Sequence, residues 1–180
     1  MTINIEKISK DFEIEYTQTC EYQVVLDSKI EEIQLSLESS ISQEEDSSGI
    51  VNELVFFKVD GLDAETIEDT STIDNPKKSK YLIPIKGTGS FDIHSKYKRK
   101  YSLKNENYKI FRLKRFTQNM DVLISYPENV YVSFFNIGMV SQFKHRHVEV
   151  KNQISRSHRN DVILPQQGFG MSFELKEEEN

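Results

Sequence analysis

The run Phe91-Asp92-Ile93-His94-Ser95-Lys96-Tyr97-Lys98-Arg99-Lys100-Tyr101-Ser102-Leu103-Lys104 decides the fold. Phe91, Ile93, Tyr97, Tyr101 and Leu103 share odd parity, while His94, Lys96, Lys98, Lys100 and Lys104 share even parity. Side chains of a strand alternate between its two faces. The run therefore reads as a long strand with an apolar face on a core and five cationic or titratable groups on the opposite face.

Working outward, the same period recurs. Upstream, Tyr81, Ile83 and Ile85 point one way and Lys80, Leu82, Pro84 and Lys86 the other, with Gly87-Thr88-Gly89-Ser90 as the intervening turn. Pro84 cannot donate to a ladder, which predicts an edge or a bulge there. Earlier still, Phe12, Ile14 and Tyr16 alternate with Asp11, Glu13 and Glu15, and Tyr22 and Val24 repeat the pattern. Downstream, Asn105-Glu106-Asn107 reads as a hairpin turn into a strand at Tyr108–Phe116, which adds Lys109, Arg112, Lys114 and Arg115. Strands at Asp121–Tyr126 and Val130–Phe135 flank Pro127-Glu128-Asn129, a second expected hairpin. Phe143–Val150 and Phe169–Leu175 close the chain, with Pro165 and Gly168 marking a turn between them.

Asp27–Ser42 fits two descriptions. Ile30, Ile33, Leu37 and Ile41 suit a helix face, with Ser28 and Glu31 resembling a capping box, whereas Ile33, Leu35 and Leu37 suit a strand. Strand neighbours on both sides favour the strand. Residues 43–49 and 62–76 are acidic and aperiodic and read as exposed loops; residues 177–180 read as an acidic tail. The expectation is an all-β fold, an antiparallel β-sandwich or flattened barrel with at most one short helix, forming one domain over residues 1–176.

Charge is sorted into blocks. Residues 1–76 carry four Lys and nineteen acids, residues 77–115 carry thirteen Lys or Arg and two acids, and the whole chain sums to −6. A basic block in an acidic chain needs counter-charge, either from the acidic strands of its own chain or from a partner. Eleven Phe and eight Tyr supply the aromatic content, and Trp is absent. The single Cys20 cannot form an internal disulfide and reads as a small buried hydrophobe, in keeping with a reducing cytosol. No basic segment followed by an apolar one opens the chain, and no apolar run approaches a bilayer span, which predicts a cytoplasmic protein.

From Arg115 to Pro127 the chain reads Arg-Phe-Thr-Gln-Asn-Met-Asp-Val-Leu-Ile-Ser-Tyr-Pro, then Val132-Ser-Phe-Phe135, then Val162-Ile-Leu-Pro-Gln-Gln-Gly168. This order of a strand ending in Tyr-Pro, a Phe-Phe strand and a Leu-Pro-x-Gln-Gly turn resembles β-rich accessory and sensor domains of bacterial defence and signalling proteins. The resemblance covers roughly 60 residues of structural punctuation. It implies a β-fold and a context in antiviral defence or sensing, and it transfers no functional residue.

Catalytic motifs are absent from the sequence: no G-x-S-x-G elbow, no P-loop, no G-x-G-x-x-G. His145-Arg146-His147 places two imidazoles on one strand face, a spacing zinc accepts, with His94, His158, Glu149 and Cys20 as the remaining donors. No metal motif accompanies that pair, so a surface strand without metal or other cofactor is the expectation. The sequence thus points to a non-catalytic binding module. Its expected contact residues are His94, Lys96, Lys98, Lys100, Lys104, Lys109, Arg112, Lys114 and Arg115, facing a protein partner with an acidic surface. The alternative is a sensor of a phosphorylated ligand or nucleic acid through a basic hairpin at 94–115. Internal neutralisation, with the Asp11–Glu15 strand beside the Lys96–Lys100 strand, competes with both.

Overall fold

Alternation at β8 (Gly89–Ser102) places Ile93, Ser95, Tyr97, Arg99 and Tyr101 in the interior, with His94, Lys96, Lys98 and Lys100 half-exposed on the other face. The computed structural model describes residues 1–11, 13–26, 31–38, 49–68, 78–85, 87–103, 107–146 and 150–176. These contain strands and no helix, arranged in several sheets of which none closes into a barrel. Among them no helix is long and apolar enough to cross a membrane. Contacts group the chain into two units: Met1–Ile14 with Leu103–Asn180, and Glu15–Ser102.

In the unit Glu15–Ser102 one layer runs in the order β2 (Glu13–Leu26), β8, β4 (Val51–Val59), β5 (Leu62–Asp63). The other runs β3 (Glu32–Glu38), β7 (Lys78–Pro84), β6 (Ile67–Glu68). Ile33 and Ile83 from the second layer meet Phe57 and Ile93 from the first in one core cluster, joined by Ile85. Burying an aliphatic side chain of this size contributes roughly 1.5–3 kcal/mol, so these alternating positions hold the layers together. Polar stitches add direction: Ser79 Oγ donates to the Asn52 carbonyl at 3.1 Å, and the Leu54 N–H donates to the Tyr81 hydroxyl at 3.3 Å.

The strand reading of Asp27–Ser42 holds over Glu32–Glu38, where Ile33 and Leu37 are buried. Pro84 does not mark an edge strand: β7 is the middle strand of its sheet. The proline is tolerated because it ends the strand opposite Glu32, beyond Tyr81 and Leu82, the two positions that β6 pairs with. The stretch 62–76, expected as loop, contributes the two short strands β5 and β6; its residues 69–76 lie outside the described residues. Also outside lie Phe12, Lys104, the Asn105-Glu106 turn, His147, Glu149, residues 43–48 and the 177–180 tail.

In the other unit one layer runs β12 (Lys144–His145), β13 (Gln153–Ile163), β10 (Thr117–Ser125), β1 (Thr2–Ile8), and the other β11 (Val130–Ile137), β14 (Gly168–Leu175), β9 (Tyr108–Arg112). β1 runs parallel to β10, a departure from the all-antiparallel expectation, and Met1 donates its ammonium to the Asp121 carbonyl at 2.8 Å. Phe169 of β14 is sandwiched between the parallel rings of Phe111 and Phe134, with centroids 5.0 and 5.1 Å away. Phe143 meets Phe134 and Phe169 edge-on and lies 5.5 Å from the buried His158 of β13, which joins the layers.

Neither expected hairpin forms. β10 has β1 on one side and β13 on the other, so no edge is left for β11, which pairs with β14. Pro127-Glu128-Asn129 therefore carries the chain from one sheet to the other, closed by the Val130 N–H on the Pro127 carbonyl at 3.2 Å. Likewise β8 is flanked by β2 and β4, while β9 pairs with β14, so residues 94–115 divide between sheets instead of folding back on themselves.

Candidate functional site

The nine cations singled out from the sequence fall into two groups. His94, Lys96, Lys98 and Lys100 line the half-exposed face of β8; Lys109, Arg112, Lys114 and Arg115 belong to β9 and the loop after it. Lys104 lies outside the described residues.

The β8 face finds acids within its own unit. Lys98 Nζ lies 3.0 Å from Glu15 Oε1, and His94 Nε2 lies 3.5 Å from Glu21 Oε1, both acids on β2. Behind this face sits Arg99, whose odd position puts it in the interior at 8% exposure. Its Nε donates to Asn52 Oδ1 at 3.0 Å, and its guanidinium lies 5.7 Å from the centre of the Tyr101 ring. Burial pushes the Tyr16 and Tyr101 hydroxyls up from the usual phenol range, with the Arg99 charge acting against it. Tyr97 donates to Ser95 Oγ at 2.8 Å, and burial raises it too. Cys20 is buried, with Gln18 Nε2 donating to its Sγ at 3.3 Å, and burial raises its thiol pKa. A thiol held protonated is a poor nucleophile.

The second group sits among pinned loops. After β9 the Leu113 N–H donates to the Gln167 carbonyl at 2.9 Å, and the Gln166 N–H returns to the Leu113 carbonyl at 2.7 Å. Gln167 Nε2 then reaches the Gly138 carbonyl at 2.7 Å, and its Oε1 accepts from the Leu164 N–H at 2.9 Å. Three loops are thereby tied at one end of the unit. They present Phe116 at 73% exposure, Val140 at 99% and Leu164 at 47%, next to exposed Arg112, Lys114 and Arg115. None of these three cations pairs with a carboxylate among the described residues. Lys109 differs, being half-buried with Nζ 6.0 Å from the Phe111 ring centre.

The described histidines, His94, His145 and His158, do not converge. His145 on β12 is exposed and accepts from Arg156 at Nδ1, whereas His158 is buried with Nε2 on the Ser141 carbonyl at 3.1 Å. Among the described residues no group of three or more His, Cys, Asp or Glu is placed to hold a metal ion.

No protein-family model matches the chain, and no curated protein matches it significantly. Two solved structures superpose on the chain at low identity. One, from Parabacteroides distasonis and described as a "putative protease", superposes with a TM-score of 0.51 at 11% identity over 96% of this chain. The other is native yeast LTA4 hydrolase, with a TM-score of 0.49 at 12% identity over 97% of this chain. The chain spans 38% of the first protein's length and 28% of the second's. At this identity the likeness to the first is one of fold alone; neither is described as a defence or sensor protein.

Proposed function

We propose that this chain is a non-catalytic binding module that docks an acidic protein surface through the loop end formed by residues 112–116, 138–140 and 164–167. The observation that carries the reading is Phe116, a large ring 73% exposed on a hydrogen-bonded loop beside three cations that have no carboxylate partner among the described residues. Aromatic and Arg side chains are enriched at protein interfaces and dominate their binding energy, while flanking charge steers the encounter. The likeness to a segment making up 38% of a longer protein supports a modular role. The sequence resemblance adds a context to this reading, that of an accessory in bacterial antiviral defence.

Affinity capture from the native host tests it. Wild type should retain a partner that Phe116→Asp and Arg115→Glu each lose, and retention should weaken with salt because exposed charges are screened within about 8–10 Å. Identical captured sets from wild type and both variants would refute the reading. Identification of the retained partner tests the defence context.

A further inference from the structure

We propose that the cleft between β12 and the start of β13 binds the phosphate group of a small phosphorylated molecule. The cleft measures about 400 Å³, and His145, Arg146, Lys151, Gln153, Ser155 and Arg156 supply its polar lining. That volume lies within the range of about 300–1,000 Å³ typical of small-ligand sites. The inference rests on Arg156 and is independent of the loop end proposed for protein docking.

Arg156 is held from two directions. Its guanidinium lies over the Phe134 ring, 5.4 Å from the centroid, which fixes the plane of the fork. One terminal nitrogen donates to His145 Nδ1 at 2.8 Å and to the Ser155 carbonyl at 3.0 Å. Accepting at Nδ1 leaves neutral His145 with its proton on Nε2, a further donor for an anion. The other terminal nitrogen and Nε make no hydrogen bond, and no carboxylate pairs with Arg156, among the described residues. Partial burial lowers its pKa from the usual guanidinium value. An oxyanion placed there supplies the missing counter-charge.

The remaining cations are poised around this fixed point. Lys151 Nζ is held by Glu128 at 2.7 Å and Arg146 lies 3.5 Å from Asp121; both side chains are mostly exposed and free to swing. Asp121 also engages Arg159, so releasing Arg146 leaves no carboxylate stranded. Among these three cations of the lining, Arg156 is the one without an acid. A phosphate dianion suits the set better than a carboxylate, because its oxygens meet donors from several directions while a planar fork meets two of them.

Amide NMR of the full chain, titrated with inorganic phosphate at constant ionic strength, tests the proposal. Phosphate should give saturable shifts confined to residues 144–146 and 150–157 and to the Arg156 side chain. Acetate should need about tenfold more for the same occupancy, the equivalent of one charge-assisted hydrogen bond. Arg156→Gln should weaken phosphate at least about tenfold, and Arg156→Lys nearly as much because an ammonium lacks the fork. Lys96→Gln and Phe116→Ala should bind as wild type does, which separates this site from the protein-docking surface. If Arg156→Gln misfolds, Lys151→Gln with Arg146→Gln, both at exposed positions, should still lower affinity several-fold. Shifts that follow chloride equally, equal binding of acetate, or undiminished binding after loss of these cations would each overturn the proposal.

Discussion

Reversing Lys98 to Glu asks whether the cationic face of β8 is satisfied inside its own unit. Lys98 Nζ is 3.0 Å from Glu15 Oε1, and in the β4–β8 ladder Lys98 stands opposite Glu53. The two partners' side chains are 40% and 28% exposed, so solvent screens the pair and it belongs with surface ion pairs of about 0.2–1 kcal/mol. A cross-strand charge pair is of similar size. Lys98→Glu replaces these attractions by repulsions, which brings the expected loss to about 1–2 kcal/mol. With a urea dependence of about 2 kcal/mol per molar, the middle of the usual range, the unfolding midpoint should fall by roughly 0.5–1 M. Adding Glu15→Lys should recover part of the loss, with a coupling energy above about 0.3 kcal/mol in the double-mutant cycle. In 1 M salt, where the screening length is about 3 Å, that coupling should shrink. A Lys98→Glu protein that melts with wild type, or strictly additive variants, would show that the pair contributes nothing and that β8 presents its cations to something else.

Alkaline titration should expose the buried phenols. Burial raises the hydroxyls of Tyr16, Tyr97 and Tyr101, so the folded chain holds protons that the unfolded chain releases near pH 10. Their contribution to stability is full below pH 10 and is lost as pH climbs toward the folded values. Absorbance of phenolate should therefore lag by three of the eight tyrosines until unfolding, and a complete ordinary titration of the folded chain would contradict this. Gly168→Ala should destabilise by about 1–3 kcal/mol in denaturant melts, because a Cβ there would lie 2.0 Å from the Phe111 carbonyl oxygen, part of the β9 backbone paired with β14. Gly170→Ala should cost less, since the atom it meets at 2.3 Å belongs to the ring of Phe135; equal or reversed losses would refute the backbone argument.

Parity made β8 and β3 legible: β8 keeps its alternation even where the ladder with β4 shifts between Leu54 and Phe56, and β3 holds one register with β7. β13 was not legible for a physical reason. Its buried positions Ile154 and His158 are even, but Ile163 is odd, and between them Asn160 adopts a positive φ of 64° where the ladder with β10 is bulged. Between the pairs Gln118–Val162 and Met120–His158 three residues of β13 face the single Asn119, which also has a positive φ of 53°, and this irregularity breaks the alternation. β1 is short and gains its meaning from β10, more than a hundred residues away, which no local pattern announces. Asp60-Gly61, with φ of 51° and 80°, is a two-residue hairpin signal that reading 62–76 as a single loop passes over. For the site, the cations at 112–115 were visible as charges. The exposure of Phe116 was not, since β9 ends at Arg112 and leaves Phe116 on a loop instead of on the strand expected through it. Arg99 shows the converse: its charge suggests surface, yet its parity matches Tyr97 and Tyr101 and places it inside.

The charge blocks acquire a different meaning once divided between the two units. Glu15–Ser102 holds ten Lys or Arg and seventeen acids, a net of −7, although it contains the β8 cations. That unit has acid to spare, and Glu15 and Glu21 show where some of it goes. The other unit holds thirteen Lys or Arg and twelve acids, a net of +1 in a chain of −6, and three of those acids are Glu177, Glu178 and Glu179 at the very end. Within it, Arg112, Lys114, Arg115 and Arg156 have no carboxylate partner among the described residues. Counter-ion demand therefore falls on the unit with the more positive net charge, although it holds only five of the thirteen cations of the 77–115 block. The two proposals, an acidic partner at the 112–116 loops and an oxyanion at Arg156, follow that division, while the longest run of alternating lysines has acids of its own unit beside it.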